Sequence, residues 1–188
     1  MADLSGSRVD SGSRLIKAPP QVIYQAFVDP KAVASWLPPK GMKARIDAYE
    51  PHAGGRYRMA LAYDEPDHSA PGKTSAHTDV VRGRFLELVP NERIVQSVEF
   101  ESDDPAFAGA MKMTWTLTAV SGGTEVSIRC ENVPDGIRPE DHEAGFKSTL
   151  ENLAAFTEGV TRSLNDTIDD LKRADEASVS PASIIRAQ

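Results

Sequence analysis

The sequence predicts an α+β fold in which helices cover one face of a curved antiparallel sheet. Three observations favour it. Apolar residues recur with a period of two from about residue 42 to about residue 131, which is typical of strands. The period returns to that of a helix beyond residue 138. Two short helical segments separate a first strand from this long run of strands.

The chain begins with small and polar residues, so we expect residues 1–11 to be a flexible N-terminus. "SRLIKAPP" is predicted to form a short strand that ends at a proline pair. Because prolines fit the first turn of a helix, "PPQVIYQAFVDP" is predicted to form an amphipathic helix, whose inward residues are Val22, Ile23, Ala26 and Phe27. Asp29 and Pro30 then start a second short helix, "PKAVASWL".

About six consecutive strands follow. They are "MKARIDAYEP", "GGRYRMALAYD", "HTDVVRGRFLELVP", "ERIVQSVEFE", "MKMTWTLTAV" and "TEVSIRCEN". Pro90-Asn91 and "SGG" are turn sequences between neighbouring strands. Short turns join antiparallel strands, and the alternation predicts one solvated face. With the first strand, the sheet has six to seven strands.

The last periodic segment predicts one long helix. Its apolar stripe contains Phe146, Leu150 and Leu153, and Pro139 suits the first helical position. A helix of about twenty residues is about 30 Å long, enough to cross the concave face of the sheet. The domain therefore spans residues 12–160, and residues 161–188 are expected to form a polar helical extension with a frayed end.

A helix laid across a curved sheet leaves a gap in which an apolar ligand could bind. The side chains predicted to line this gap are large, soft or aromatic: Trp36, Tyr57, Met59, Leu61, Phe85, Met113, Trp115, Phe146, Leu150 and Leu153. The alternative is that the same side chains fill a solid core. The sequence leaves both interpretations open.

The start of the long helix carries His142, Glu143 and Lys147 around Gly145. A histidine at the edge of a pocket could move protons, but a general base needs a convergent partner, and the sequence reveals none. We therefore predict no catalytic residue and keep His142 as a weak candidate, with Glu143 and Lys147 at the rim. Gly145 is expected to make room for close packing or for a ligand.

The polar segment "DEPDHSAPGKTSAHTD" holds six potential metal ligands: Asp64, Glu65, Asp67, His68, His77 and Asp79. No pair of them has a recognised spacing, so we predict a mobile flap and no metal site. No cofactor is predicted either, because "AGGRY" lacks the spacing of a phosphate-binding loop and precedes a strand. Cys130 is the only cysteine in the sequence, so an internal disulfide is excluded, and we interpret this residue as part of the core.

The chain has 21 basic and 28 acidic residues, a net charge of −7. This balance argues against nucleic acid and anionic membranes as partners. No segment has the apolar length of a secretory signal or of a membrane span, so we expect a cytoplasmic protein. A homodimer formed along an open sheet edge is possible.

The order of five segments resembles a known superfamily. They are "APPQVIYQAFVDPKAVASWLPP", "GGRYRM", "GRFLELVPNERIV", "GGTEVSI" and "HEAGFKSTLENLAAF". Over about residues 12–160 the chain is similar to START-like (SRPBCC) helix-grip proteins, and most similar to the branch named for the activator of heat-shock protein 90 ATPase. That branch commonly has Gly-Trp in the last helix, where this chain has Gly145-Phe146. The smaller ring implies a pocket of different shape.

The resemblance implies a cavity between sheet and long helix. The function expected from it is binding of a small hydrophobic or aromatic molecule; whether the protein is also an enzyme is left open, with binding alone favoured. One alternative is a co-chaperone related to the activators; the eukaryotic activators carry an additional N-terminal domain, for which this chain is expected to have no room. The other is a polyketide cyclase/dehydratase-like enzyme.

Overall fold

The computed structural model describes residues 7–64, 72–75 and 77–178. Within them the strands are β1 (Val9–Ile16), β2 (Met42–Tyr49), β3 (Arg56–Tyr63), β4 (Thr78–Val89), β5 (Arg93–Phe100), β6 (Met111–Val120) and β7 (Gly123–Glu131). The helices are α1 (Pro20–Val28), α2 (Pro30–Trp36) and α3 (Pro139–Ser178), with a 3-10 turn at Pro105–Phe107.

The strands form one antiparallel sheet of seven strands in the order β1-β7-β6-β5-β4-β3-β2. Consecutive strands from β2 to β7 are neighbours, as short turns require. Asn91 and Gly122 occupy the left-handed region of backbone space in two of these turns. The helices pack on one face, which we call the inner face, and the predicted α+β helix-grip fold is confirmed. Dimer formation along an edge strand, β1 or β2, stays a prediction.

The first strand begins earlier than expected. Residues 9–11 were predicted to be flexible, but Val9, Asp10 and Ser11 pair with residues 129–131 of β7. The segment "VDSGS" has little strand propensity of its own. The backbone of β7 supplies the hydrogen-bond partners that fix it, which no local pattern reveals. Because β1 begins at Val9, Asp10 is part of the sheet and lies beside the start of α3.

The two short helices cover the inner face near β2 and β6. In α1 the buried residues are Ile23, Tyr24, Ala26 and Phe27, so Tyr24 takes the place predicted for Val22, which is half-buried. The Asp29 carboxylate accepts a hydrogen bond from the Lys31 backbone N–H at 2.9 Å and caps α2. The Trp36 indole donates to the Ala26 carbonyl at 2.8 Å and joins the two helices.

The long helix has 40 residues, because it continues from the domain into the segment after residue 160 for which a polar helical extension was expected. Phe146, Leu150 and Leu153 are buried as expected, and α3 packs against β1, α1 and α2. From residue 162 to residue 177 every side chain is exposed, so this half of the helix projects beyond the domain. Residues 179–188, where fraying was expected, lie outside the described residues. None of the helices in the described part of the chain is long and apolar enough to cross a membrane.

Candidate functional site

An apolar pocket with a volume of about 170 Å³ lies between the inner face of the sheet and the helices. We call it the inner pocket. Its lining residues are Phe27, Val33, Trp36, Leu37, Pro39, Tyr49, Tyr57, Met59, Leu61, Val81, Gln96, Val98, Met113, Trp115 and Thr149. They come from α1, α2, α3, the α2–β2 connection and the strands β2 to β6.

Six residues predicted to line a pocket lie together in this lining: Trp36, Tyr57, Met59, Leu61, Met113 and Trp115. The other four do not line it: Phe85, Phe146, Leu150 and Leu153. Phe85 is buried against the rings of Tyr49 and Tyr57, whose centroids are 5.2 and 5.5 Å from its own. It is therefore a core residue outside the inner pocket. The alternation of apolar residues predicts which face of a strand a side chain lies on. It does not predict which positions along that strand border the pocket.

The apolar stripe of α3 packs on β1 and away from the inner pocket. A Cβ at Gly12 of β1 would lie 3.2 Å from the Phe146 Cβ, so the helix touches the strand there. Phe146 and Leu150 face this contact, and Leu153 is fully buried in the core. Gly145 was expected to make room for close packing or for a ligand. The close packing occurs at Gly12, whereas a Cβ at Gly145 would meet no atom of the described residues within 4 Å, and the ligand alternative stays a prediction.

The sequence analysis missed nine lining residues: Phe27, Val33, Leu37, Pro39, Tyr49, Val81, Gln96, Val98 and Thr149. A signal existed for Val81, which shares strand parity with the predicted Phe85 on β4. Val98 could have been found in the same way from the β5–β6 pairing, because it is opposite Met111. The helix residues depend on how α1 and α2 dock, which local patterns do not specify.

The aromatic walls have their polar atoms bonded to the backbone. Tyr49 donates to the Phe27 carbonyl and Tyr57 to the Ser97 carbonyl, each at 2.6 Å. Burial raises the pKa of both tyrosines far above the usual value, so their hydroxyls stay protonated. Phe27, Trp36 and Trp115 pack edge to face with centroids 4.9 to 6.0 Å apart. The pocket therefore presents ring faces, with Gln96 and Thr149 as further polar side chains.

A second pocket of about 650 Å³ opens at the first turns of α3, and we call it the outer pocket. Its lining residues are Pro39, Lys40, Met42, Tyr63, Lys73, Asp79, Phe107, Gly136, Ile137, Arg138, Asp141, His142, Ala144, Gly145 and Ser148. Asp79 is buried and paired with the Lys73 ammonium at 2.7 Å. That ammonium also lies 5.1 Å from the centre of the Phe100 ring.

His142 in this pocket has a convergent partner that the sequence did not reveal. Its Nδ1 lies 2.7 Å from Asp10 Oδ2, and Arg8 holds the same carboxylate with two hydrogen bonds of 3.0 and 2.5 Å. The Arg8 hydrogen bonds lower the pKa of Asp10, so it is an ionised acceptor. Burial lowers the pKa of His142, although Asp10 opposes that effect. The imidazole is therefore neutral near pH 7, with its proton on Nδ1.

Glu143 and Lys147, predicted to accompany His142, line a shallow groove with residues 11–14 of β1. Both side chains are exposed, and neither lines the outer pocket. The helix thus presents the members of this polar trio to different surfaces. His142 alone combines burial, an oriented ring and a place in a pocket.

Among the described residues, no group of three or more His, Cys, Asp and Glu side chains comes together as a metal site would require. Asp64 pairs with Lys43 at 2.8 Å, and Asp79 pairs with Lys73. Glu65, Asp67 and His68 lie outside the described residues, as does half of the predicted flap. Cys130 is fully buried and burial raises the pKa of its thiol to about 12, which confirms its interpretation as a core residue.

Comparisons with known proteins agree with this geometry. The family profile described as "Activator of Hsp90 ATPase homolog 1-like protein" matches residues 17–158. A solved structure from Chromobacterium violaceum is 37% identical, with a TM-score of 0.70, over 80% of this chain and 96% of that one. No curated protein matches the chain.

Two more distant structures share the fold. One from Mesorhizobium loti is 23% identical, with a TM-score of 0.61, over 80% of this chain and 97% of that one. An AHSA1-like protein from Aeromonas hydrophila is 20% identical, with a TM-score of 0.59, over 81% of this chain and 94% of that one.

Proposed function

The chain belongs to the family of activator of Hsp90 ATPase homolog 1-like proteins, and on that premise we propose that it binds a small hydrophobic or aromatic molecule. The observation that carries the proposal is the inner pocket. Its lining is apolar and aromatic, and its main hydrogen-bonding side chains already have backbone partners. An apolar ligand end that displaces water from these walls leaves the polar groups of Trp36, Tyr49 and Tyr57 paired. The remaining polar side chains that it would meet are Gln96 and Thr149.

The volume supports a ligand end of limited size. The inner pocket has about 170 Å³, and an engineered apolar cavity of about 150 Å³ in another protein stays dry and binds benzene. One aromatic ring or a short alkyl chain therefore fits. A larger ligand has to place its remainder outside this pocket.

The chain contains two tryptophans, and both line the inner pocket, so their fluorescence reports directly on its occupancy. We expect n-butylbenzene to change this fluorescence with saturation. Val98→Phe fills the pocket and should weaken binding at least tenfold, a loss of about 1.4 kcal/mol. Val120→Phe makes the same change at an exposed position and should bind as the wild type does.

Failure of n-butylbenzene to bind, or equal binding by Val98→Phe and the wild type, would overturn the proposal. Native mass spectrometry of protein purified from its own host gives independent support if an apolar molecule is retained. Loss of that molecule in Val98→Phe, with retention in Val120→Phe, would assign it to the inner pocket.

The enzyme alternative gains one observation, because Asp10 supplies the partner that a proton-transferring His142 needs. The co-chaperone alternative rests on family membership. It predicts that the protein stimulates the ATPase of a heat-shock protein 90 from the same host, and that Val98→Phe leaves this stimulation intact. A binding protein predicts no stimulation.

A further inference from the structure

We propose that the outer pocket binds a hydroxyl group of the same ligand, through the Nε2 atom of His142. The ligand class is then an alcohol or phenol with an apolar end in the inner pocket and an O–H group about 10 Å away. This inference rests on the function proposed above for the inner pocket. It adds the polar group that the ligand must carry.

The two pockets are consecutive along the inner face. Pro39 lines both of them. On β3, Leu61 lines the inner pocket and Tyr63, two residues further and on the same face, lines the outer one. On β4, Val81 and Asp79 have the same relation. The two pockets are therefore adjacent, and we infer that a ligand longer than the inner pocket extends along these strands into the outer one.

The first turns of α3 also lie beside both pockets. Thr149 lines the inner pocket and His142 the outer pocket, and seven helical residues span about 10 Å. Gly145 lies between them, and a Cβ there would meet no atom of the described residues within 4 Å. No side chain of this position separates the two pockets. The distance of about 10 Å along α3 sets the separation between the apolar end of the ligand and its hydroxyl group.

His142 can accept a hydrogen bond and cannot donate one into the outer pocket. Its Nδ1 proton is directed at the Asp10 carboxylate, which can only accept, so Nε2 of the neutral ring carries a lone pair. No polar side-chain atom among the described residues is both fully buried and without a partner, and no described residue bonds to Nε2, so this atom is accessible from outside the core. His142 lines the outer pocket, which is the space from which we infer that Nε2 is reached. An O–H group satisfies this atom, whereas an ether oxygen or a carboxylate does not.

Burial has the largest effect on the pKa of His142 and lowers it, and the charged groups around the ring act in both directions. Arg8 and Asp10 face it from the N-terminal side, and their opposite charges are paired at 2.5 Å. Lys73, from the segment before β4, opposes protonation of the ring and is itself paired with Asp79. On α3, Asp141 is paired with Arg138 at 2.7 Å. Each of these carboxylates is thus paired with a cation; Asp10 still raises the pKa of His142, but burial has the larger effect and the pKa is lowered.

The test compares 4-pentylphenol with 4-pentylanisole, which replaces the hydroxyl by a methyl ether of similar length. The extra methyl group fits in the outer pocket of about 650 Å³. We expect the wild type to bind the phenol about fivefold more tightly, the effect of one hydrogen bond. His142→Ala should remove this preference and leave the affinity for the anisole unchanged. His52→Ala, at an exposed histidine outside both pockets, should keep the preference.

Equal affinity of the wild type for the two compounds, or a preference that survives His142→Ala, overturns the hydroxyl subsite while the inner pocket stands. Absence of binding by both compounds and by n-butylbenzene overturns the proposed function itself. Gly145→Leu tests the same inference if His142→Ala does not fold, because a side chain there occupies open space. Gly145→Leu should weaken the binding of 4-pentylphenol more than the binding of n-butylbenzene. An equal loss of affinity for both compounds overturns the inference.

Discussion

Two glycines serve opposite purposes in this fold. At Gly83 on β4 a Cβ would lie 1.8 Å from the Ser97 carbonyl oxygen and 2.6 Å from the Tyr57 hydroxyl. The absence of a side chain lets Tyr57 cross β4 and donate to Ser97 on β5. At Gly145 the space beside the helix is empty. Gly83 is therefore required by packing, and Gly145 is not.

We predict opposite effects of the same substitution at these two positions. Gly83→Ala should lower the free energy of unfolding by about 2 kcal/mol or more, because backbone must move. Gly145→Ala should raise it by about 0.5–1 kcal/mol, because alanine favours the helix and meets no neighbour. Urea unfolding measures both values. Effects of the same sign would contradict this account.

The lowered pKa of His142 predicts a pH dependence of stability. Between the folded pKa and the unfolded value of about 6.5, the unfolded chain binds the proton more readily than the folded one. The contribution of His142 to the free energy of unfolding is therefore fully present above about pH 6.5, and it is lost as the pH falls through the pKa of the folded state. Between about pH 7 and pH 5 the wild type should lose more stability than His142→Asn.

The control is His52→Asn, which changes an exposed histidine away from both pockets and should follow the wild-type profile. Denaturant unfolding at a series of pH values gives the comparison. A His142→Asn profile parallel to that of the wild type would show that this imidazole keeps an ordinary pKa in the folded protein.

At the scale of elements, α3 has two halves with different roles. The N-terminal half packs on β1, α1 and α2, and the half after residue 161 is solvated. Leu164, Ile168 and Leu171 are exposed there, so this half gains no burial from the domain. An i,i+3 pair between Asp170 and Arg173 at 2.7 Å adds only a few tenths of a kcal/mol.

A matched pair of substitutions tests this division. Leu153 is 0% exposed and Leu171 is 66% exposed in the same helix. Leu153→Ala should lower the free energy of unfolding by about 2–5 kcal/mol through loss of buried contacts and a cavity. Leu171→Ala should change it by less than about 0.5 kcal/mol. A large effect at Leu171 would mean that the projecting half is covered by another surface in solution.

At the scale of the whole molecule, the sheet and helices enclose a single core that reaches from β1 to β3. Cys130 lies in this core on β7, 0% exposed, and pairs in register with Asp10. Its thiol has a pKa of about 12, because burial disfavours the thiolate. Access to this sulfur requires that the sheet and its helices separate.

Cys130 should therefore report global unfolding. We expect negligible reaction with a disulfide reagent at mildly alkaline pH in the native protein and rapid reaction in concentrated guanidinium chloride. The labelling midpoint should coincide with that of the fluorescence transition. Labelling at lower denaturant concentration would reveal that β7 opens before the rest of the fold.

Patterns in the amino-acid sequence were enough to predict most of the strands and helices and the faces that they bury. Alternation along β3 and β6 identified Met59, Met113 and Trp115 as inner-face residues, because a strand exposes opposite faces at successive positions. The helical stripe of α3 identified Phe146 and Leu150 as buried in the same way.

Which of these residues border a pocket and which fill the core depends on how the helices dock on the sheet. Period specifies a face and carries no information on where along a strand a helix docks, so Phe85 and Phe146 were assigned to the wrong environment. The tertiary structure also decided the partner of His142. Asp10 is separated from it by 132 positions, and their hydrogen bond exists because β1 pairs with β7 at the edge over which α3 begins. No local pattern encodes such a contact.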